Sequence, residues 1–139
     1  MKYVDANIFI YPIATELSDA KAQASNEILI DIAEGRIDAL TSCLTWDEVV
    51  WNVRKYLGRD AALRAGRKFL EFPNLKIVAA TSGILNTAQK LIEGYGLDPR
   101  DAIHLATCME HGIREIISDD ADLDVIKSVR RIPPVSGKG

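Results

Sequence analysis

Four acidic residues, Asp5, Glu48, Asp101 and Asp120, each stand where a strand-like run passes into a helical one. Asp5 follows Lys2 to Val4, and Glu48 lies in the first turn of the helical run after Ile37 to Cys43. Asp101 lies in the first turn of a helix opened by Asp98-Pro99, and Asp120 follows Glu115 to Ser118, with Asp119 and Asp122 beside it. Taken singly, each acid has a structural explanation. Thr45-x-x-Glu48 fits a capping box and Asp98-x-x-Asp101 resembles one, and a first-turn acid is favoured by the helix dipole by roughly 0.3–1 kcal/mol. Taken together they point to chemistry, because parallel strands bring their carboxyl ends to one edge of a sheet. Two carboxylates about 4 Å apart repel by roughly 4 kcal/mol at an effective dielectric of about 20. A hard divalent cation relieves that repulsion, and carboxylates with water suit Mg²⁺ or Mn²⁺. Such a centre can neutralise a phosphodiester, lower the pKa of a bound water and stabilise the leaving oxygen.

The elements that must position these acids alternate. Strand-like runs cover Lys2 to Val4, Ile37 to Cys43, Leu75 to Ala79, Glu115 to Ser118 and Val129 to Ile132, the last as an edge strand. Helical spacing of apolar residues predicts helices over Asn7 to Ile13, Ser18 to Glu34, Thr45 to Leu57, Asp60 to Phe72, Ile84 to Tyr95 and Asp98 to about His111. The first is expected to end near Pro12, Ser18 to cap the second, and Gly35, Gly58, Gly96 and Gly112 to stop their helices. Asp122 to Lys127 reads as a short helix or turn. Alternation of this kind predicts an α/β domain with a mainly parallel sheet of about five strands, covered by helices on both faces.

The chain has 139 residues, room for one domain with a packed core, and 47% of them are hydrophobic. The expected domain is 1–132, with a loosely held tail over 133–139. No apolar stretch approaches the roughly 18 residues that span a bilayer. Asp5 interrupts any signal core, so a cytoplasmic protein is expected. Cys43 and Cys108 then read as reduced core thiols. A net charge of −3 excludes a protein that grips nucleic acid with its whole surface. Six cations do cluster between Arg54 and Lys68, against Asp60 alone. They form either a solvated helical face or a local phosphate-contacting patch, with Arg54, Lys55, Arg64 and Arg67 the candidates.

Four segments, Val4-Asp5-Ala6-Asn7-Ile8-Phe9, Thr45-Trp46-Asp47-Glu48-Val49, Leu97 to Ala106 and Ser118-Asp119-Asp120-Ala121-Asp122-Leu123, in this order, resemble the PIN-domain nucleases and, within them, the VapC-type toxins. The resemblance covers nearly the whole chain and is strongest over Asp98 to Ala106. It implies a three-layer α/β/α sandwich. It also implies single-stranded RNA hydrolysis by metal-activated water, leaving a 5′-phosphate. The ligands of Mg²⁺ or Mn²⁺ would be Asp5, Glu48, Asp101 and Asp120, with Asp122 as a fifth candidate and the choice of Asp120 over Asp119 resting on register. Asn7 and Ser118 match positions that orient the site, although Ser118 stands where Thr is common. The family also implies a homodimer and a small antitoxin inserted in the active-site groove. Trp51 lies off its helix's apolar stripe; it suits a partner surface, or else covers the neighbouring helix as a rim residue.

Two other readings compete. A non-catalytic PIN-like module that binds RNA or protein would tolerate a missing acid, and none is missing. A phosphatase with Asp5 as nucleophile would want an acid two residues on, where Asn7 stands. His104, one turn after Asp101, reads as a helix-face or core histidine rather than a metal ligand.

Overall fold

The computed structural model describes residues 1–135; the part of the expected tail from Ser136 to Gly139 lies outside the described residues. Five strands form one sheet: β1 (Lys2–Val4), β2 (Ala39–Ser42), β3 (Leu75–Val78), β4 (Glu115–Ile117) and β5 (Arg130–Ile132). Their order is β3-β2-β1-β4-β5, and all four pairings are parallel. The chain lays down β2 and β3 on one side of β1, then returns to place β4 on the other. That reversal opens a crevice beyond the carboxyl ends of β1 and β4, where open α/β sheets hold ligands.

Among the described residues, six α-helices cover the sheet: α1 (Ala6–Ala14), α2 (Ala20–Ala33), α3 (Leu44–Leu57), α4 (Arg59–Leu70), α5 (Ser82–Tyr95) and α6 (Pro99–Glu110). The pleat divides the strand residues between two cores. Tyr3, Leu40 and Ile116 pack with Ile84, Ala88 and Leu91 of α5 and Ala102, Leu105 and Ala106 of α6. Val4, Ala39 and Ile117 pack with Ile8, Phe9, Ile32, Val49, Val53 and Phe69 from α1 to α4. The expected α/β/α sandwich is therefore present. Phe9 anchors the second layer edge-on to Phe69, ring centroids 5.1 Å apart. Gly66 lets α4 close on α3, since a Cβ there would lie 2.9 Å from Val50 Cγ2 and 3.0 Å from Trp46 Nε1.

Local chemistry shifts several expected boundaries. Helix α1 runs through Pro12 to Ala14; the proline removes one donor but does not end the helix. Asp19, not Ser18, caps α2, accepting from the Lys21 and Ala22 amides. Helix α3 begins at Leu44, so Thr45 is already helical and cannot cap. The Leu44 amide instead donates to Ser42 Oγ. Cys43 is exposed at this corner rather than in the core, whereas Cys108 is buried as expected. Ala121–Val125 forms a 3₁₀ turn after β4.

Candidate active site

Asp5 ends β1 and caps α1. Its amide extends the ladder by donating to the Ile117 carbonyl at 3.0 Å, so the residue is held between the two strands that flank the crevice. Both carboxylate oxygens are occupied. Oδ1 accepts the Ala6 amide at 2.7 Å and lies 3.2 Å from His104 Nε2. Oδ2 accepts the Ser118 hydroxyl at 2.5 Å and Asn7 Nδ2 at 3.2 Å. Ser118 Oγ in turn accepts the Asp120 amide at 3.0 Å and Asn7 Nδ2 at 3.3 Å. One donated and two accepted bonds use its full capacity. Asn7 and Ser118 thus clamp Asp5 and tie it to the segment bearing Asp120.

The Thr45-x-x-Glu48 capping box does not form. The Thr45 hydroxyl is buried against Thr41 Oγ1 at 2.7 Å, and Thr41 Oγ1 also donates to the Val4 carbonyl, 2.8 Å away, next to Asp5. Glu48 Oε1 lies instead 2.6 Å from His104 Nε2. The fully buried imidazole therefore sits between Asp5 and Glu48, while its Nδ1 is 2.6 Å from the Tyr3 hydroxyl. That hydroxyl also accepts the Ser42 amide, 3.1 Å away. Burial opposes a charged imidazole, but Tyr3, Asp5 and Glu48 outweigh it and hold the His104 pKa well above its ordinary value.

Asp101 and His104 project one turn apart on α6, with Asp101 at the rim and His104 beneath. The Asp98 side chain makes no cap bond, so the second expected box is also absent. Burial, followed by the charges of Asp120 and Asp5, pushes the Asp101 pKa up to about 7. Ligand-type atoms of Asp101, Asp120 and Asp122 lie within 4.8 Å of one another, as do those of Asp5, Glu48 and His104. Asp5, Asn7, Glu48, Asp101 and Asp120 line one cavity of about 540 Å³. Asp122 is exposed and lies behind Asp120, its amide donating to Asp120 Oδ1 at 3.0 Å.

Asp119 faces elsewhere. It accepts from Tyr11 Oη at 2.6 Å and pairs with Lys21 Nζ at 2.8 Å. Those partners lower its pKa against the opposing effect of burial. Arg131 braces the same segment, donating to the Ser118 carbonyl at 3.2 Å and pairing with Asp124 at 2.8 Å.

Arg54, Lys55, Arg64 and Arg67 are exposed, and none lines the acidic cavity. Arg64 lies in a neighbouring cleft with Ile13, Leu57 and Lys68; Leu57 lines both. Trp51 is 56% exposed. Sequence reasoning missed Tyr3, His104, Asn52 and Arg131 as parts of this assembly. Only His104, one turn after an acid, carried a signal.

A family model described as PIN domain matches residues 2–129. No curated protein is similar to the chain in sequence. Among solved structures, the Mycobacterium tuberculosis toxin VapC20, described as cleaving the sarcin–ricin loop, superposes with a TM-score of 0.74 at 16% identity, over 94% of this chain and 99% of that one. A toxin–antitoxin complex from Klebsiella pneumoniae gives 0.69 at 22% identity, over 97% and 98%. VapBC2 from Rickettsia felis, bound to a promoter DNA fragment, gives 0.70 at 16% identity, over 96% and 98%.

Proposed function

The chain belongs to the PIN domain family, and from that premise we propose that it is a divalent-metal-dependent endoribonuclease acting on single-stranded RNA, the toxin of a toxin–antitoxin pair. The observation that carries this reading is the gathering of Asp5, Glu48, Asp101 and Asp120 around one cavity at the carboxyl edge of the sheet.

The donors fit a hard divalent cation. They are carboxylate oxygens in two groups, Asp5 with Glu48 and Asp101 with Asp120, each close enough within itself to share an ion, and no thiolate stands among them. Asp5, Glu48, Asp101 and Asp120 would hold Mg²⁺ or Mn²⁺, with Asp122 at the outer edge. When bound, the ion supplies neutralisation of the phosphodiester and a water acidic enough to attack it.

The chain's own residues do the rest. Ser118, Asn7 and the Ala6 amide fix the Asp5 carboxylate, and His104 fixes Glu48. These groups are thus oriented before substrate arrives, which is the condition for efficient catalysis at a charged centre. Asp101, with a pKa of about 7, holds a proton at its carboxyl over part of the neutral range. Full acceptor strength at that position requires the proton to leave.

Arg54, Lys55, Arg64 and Arg67 are the side chains proposed to meet RNA phosphates outside the cavity. The relatives solved with antitoxins support a small antitoxin partner. A homodimer and a cytoplasmic site of action belong to the same proposal; no helix among the described residues is long and apolar enough to cross a membrane. The test is incubation with a 3′-labelled single-stranded RNA in Mg²⁺, in Mn²⁺ and in EDTA. Cleavage confined to the metal-containing reactions, with 5′-phosphate ends, is expected. Cleavage undiminished in EDTA overturns the metal assignment.

A further inference from the structure

The acidic cavity has a second half that the four carboxylates do not explain. Helix α1 lines it with Asn7, Ile10, Tyr11 and Ala14, a spacing of one helix face, and Thr15 follows. Helix α3 lines it with Glu48, Asn52 and Tyr56, also one face, and then Leu57. The cavity therefore runs away from the sheet edge as a groove between two helices. From Glu48 to Tyr56 is two turns of α3, a rise of roughly 12 Å. Beyond Glu48 and Asn7, the groove is lined by Ile10, Tyr11, Ala14, Asn52, Tyr56 and Leu57, none of them charged, with Thr15 at its edge.

We propose that this uncharged half is a nucleobase subsite, in which Tyr56 stacks on an unpaired base beside the phosphodiester held at the carboxylates. The proposal rests on the ribonuclease reading and names how the same site takes its substrate. A nucleotide has the polarity of the groove, with an anionic phosphate at one end and a neutral, flat, apolar-faced ring at the other. Tyr56 is 62% exposed at the rim, so its ring face is available to a ligand without displacing core packing. Leu57 and Ile10 offer apolar contact. Asn52 Nδ2 is taken by the Glu48 carbonyl, 2.7 Å away, which leaves its Oδ1 to accept a base N–H. Lys55 Nζ lies over one face of the Tyr56 ring, 5.6 Å from its centroid, which leaves the opposite face for the base and a cation near the platform for the phosphate of the stacked nucleotide. Stacking on an aromatic ring tolerates any base. The subsite therefore selects single-stranded over paired RNA rather than one sequence over another. A peptide occupant would be served by the apolar contacts but leaves the continuity with the carboxylates unused.

The experiment measures binding of a fluorescent mixed-sequence single-stranded RNA, and of an abasic ribose-phosphate strand of equal length, in Ca²⁺ with strand integrity checked on a gel. The wild type is expected to prefer the RNA over the abasic strand by on the order of ten-fold. Tyr56→Ala is expected to lose that preference while keeping the salt dependence, since no phosphate contact is removed. Tyr56→Phe, which keeps the ring, is expected to restore it. Wild-type preference retained in Tyr56→Ala overturns the subsite and leaves the ribonuclease reading standing. A wild type that neither binds nor cleaves single-stranded RNA overturns both.

Discussion

His104 Nε2 lies 2.6 Å from Glu48 Oε1 and joins a residue of α6 to one of α3 across the carboxyl edge of the sheet. The same nitrogen reaches Asp5 at 3.2 Å. One buried imidazole thus sets the spacing of two carboxylates and is itself held by Tyr3. Removing it leaves two acids close together with no donor between them. His104→Leu is expected to cost about 1.5–3 kcal/mol of stability, the range for hydrogen bonds to charged groups. It is also expected to weaken Mn²⁺ binding by roughly 10–100-fold, as loss of a group that orients metal ligands does. Urea unfolding and Mn²⁺ titration check the two effects separately; unchanged Mn²⁺ affinity would make His104 a packing residue only.

Asp101 gives a pH signature. Its pKa in the folded protein, about 7, is above the ordinary 3.8, so the folded state binds the proton more tightly than the unfolded chain. The associated stability is fully present below about pH 4 and is lost as pH rises through 7. Asp101→Asn removes that loss. In metal-free buffer the variant is expected to melt above the wild type at pH 8, with the advantage gone at pH 4. An advantage of equal size at both pH values would show that charge crowding at Asp101 is not its source.

Asp119 and Asp120 are neighbours with separate tasks. Asp119 is spent on Tyr11 and Lys21, while Asp120 faces the cavity. Asp119→Asn is expected to keep wild-type cleavage and to lose about 1 kcal/mol or less of stability, as partly exposed pairs do. Asp120→Asn is expected to abolish cleavage. The reverse pattern in a gel assay would move the last ligand to Asp119.

Arg64 and Arg67 lie outside the acidic cavity, on exposed positions of α4. Each phosphate contact with a single strand contributes about 0.7 to the slope of log K against log salt. Replacing both with Gln is expected to flatten that slope by about 1.4. An unchanged slope, measured by fluorescence anisotropy, would make them a solvated helix face.

Much of this was legible because strands and helices repeat with different periods. Asp5, Glu48, Asp101 and Asp120 stood out as acids at strand-to-helix junctions, and a parallel sheet was enough to expect them at one edge. Glu48 shows where local reading stops. Thr-x-x-Glu is the same signature whether the glutamate caps its helix or reaches across to another, and only the Thr45–Thr41 contact decides. His104 was hidden for a related reason. A histidine amid the apolar positions of a helix looks like core, and its partners Tyr3 and Glu48 lie 101 and 56 residues away. Cys43 was misplaced because an apolar-leaning run was read one residue past the end of β2, into the corner where the chain turns outward.

The most direct measurement compares wild type and Asp5→Asn in cleavage of a single-stranded RNA in Mn²⁺, with circular dichroism recorded on both. Asp5 is the carboxylate that the whole assembly holds in place, so its loss is expected to abolish cleavage while the spectrum stays that of the folded protein. An Asp5→Asn variant that cleaves at the wild-type rate would contradict the carboxylate centre as the site of chemistry.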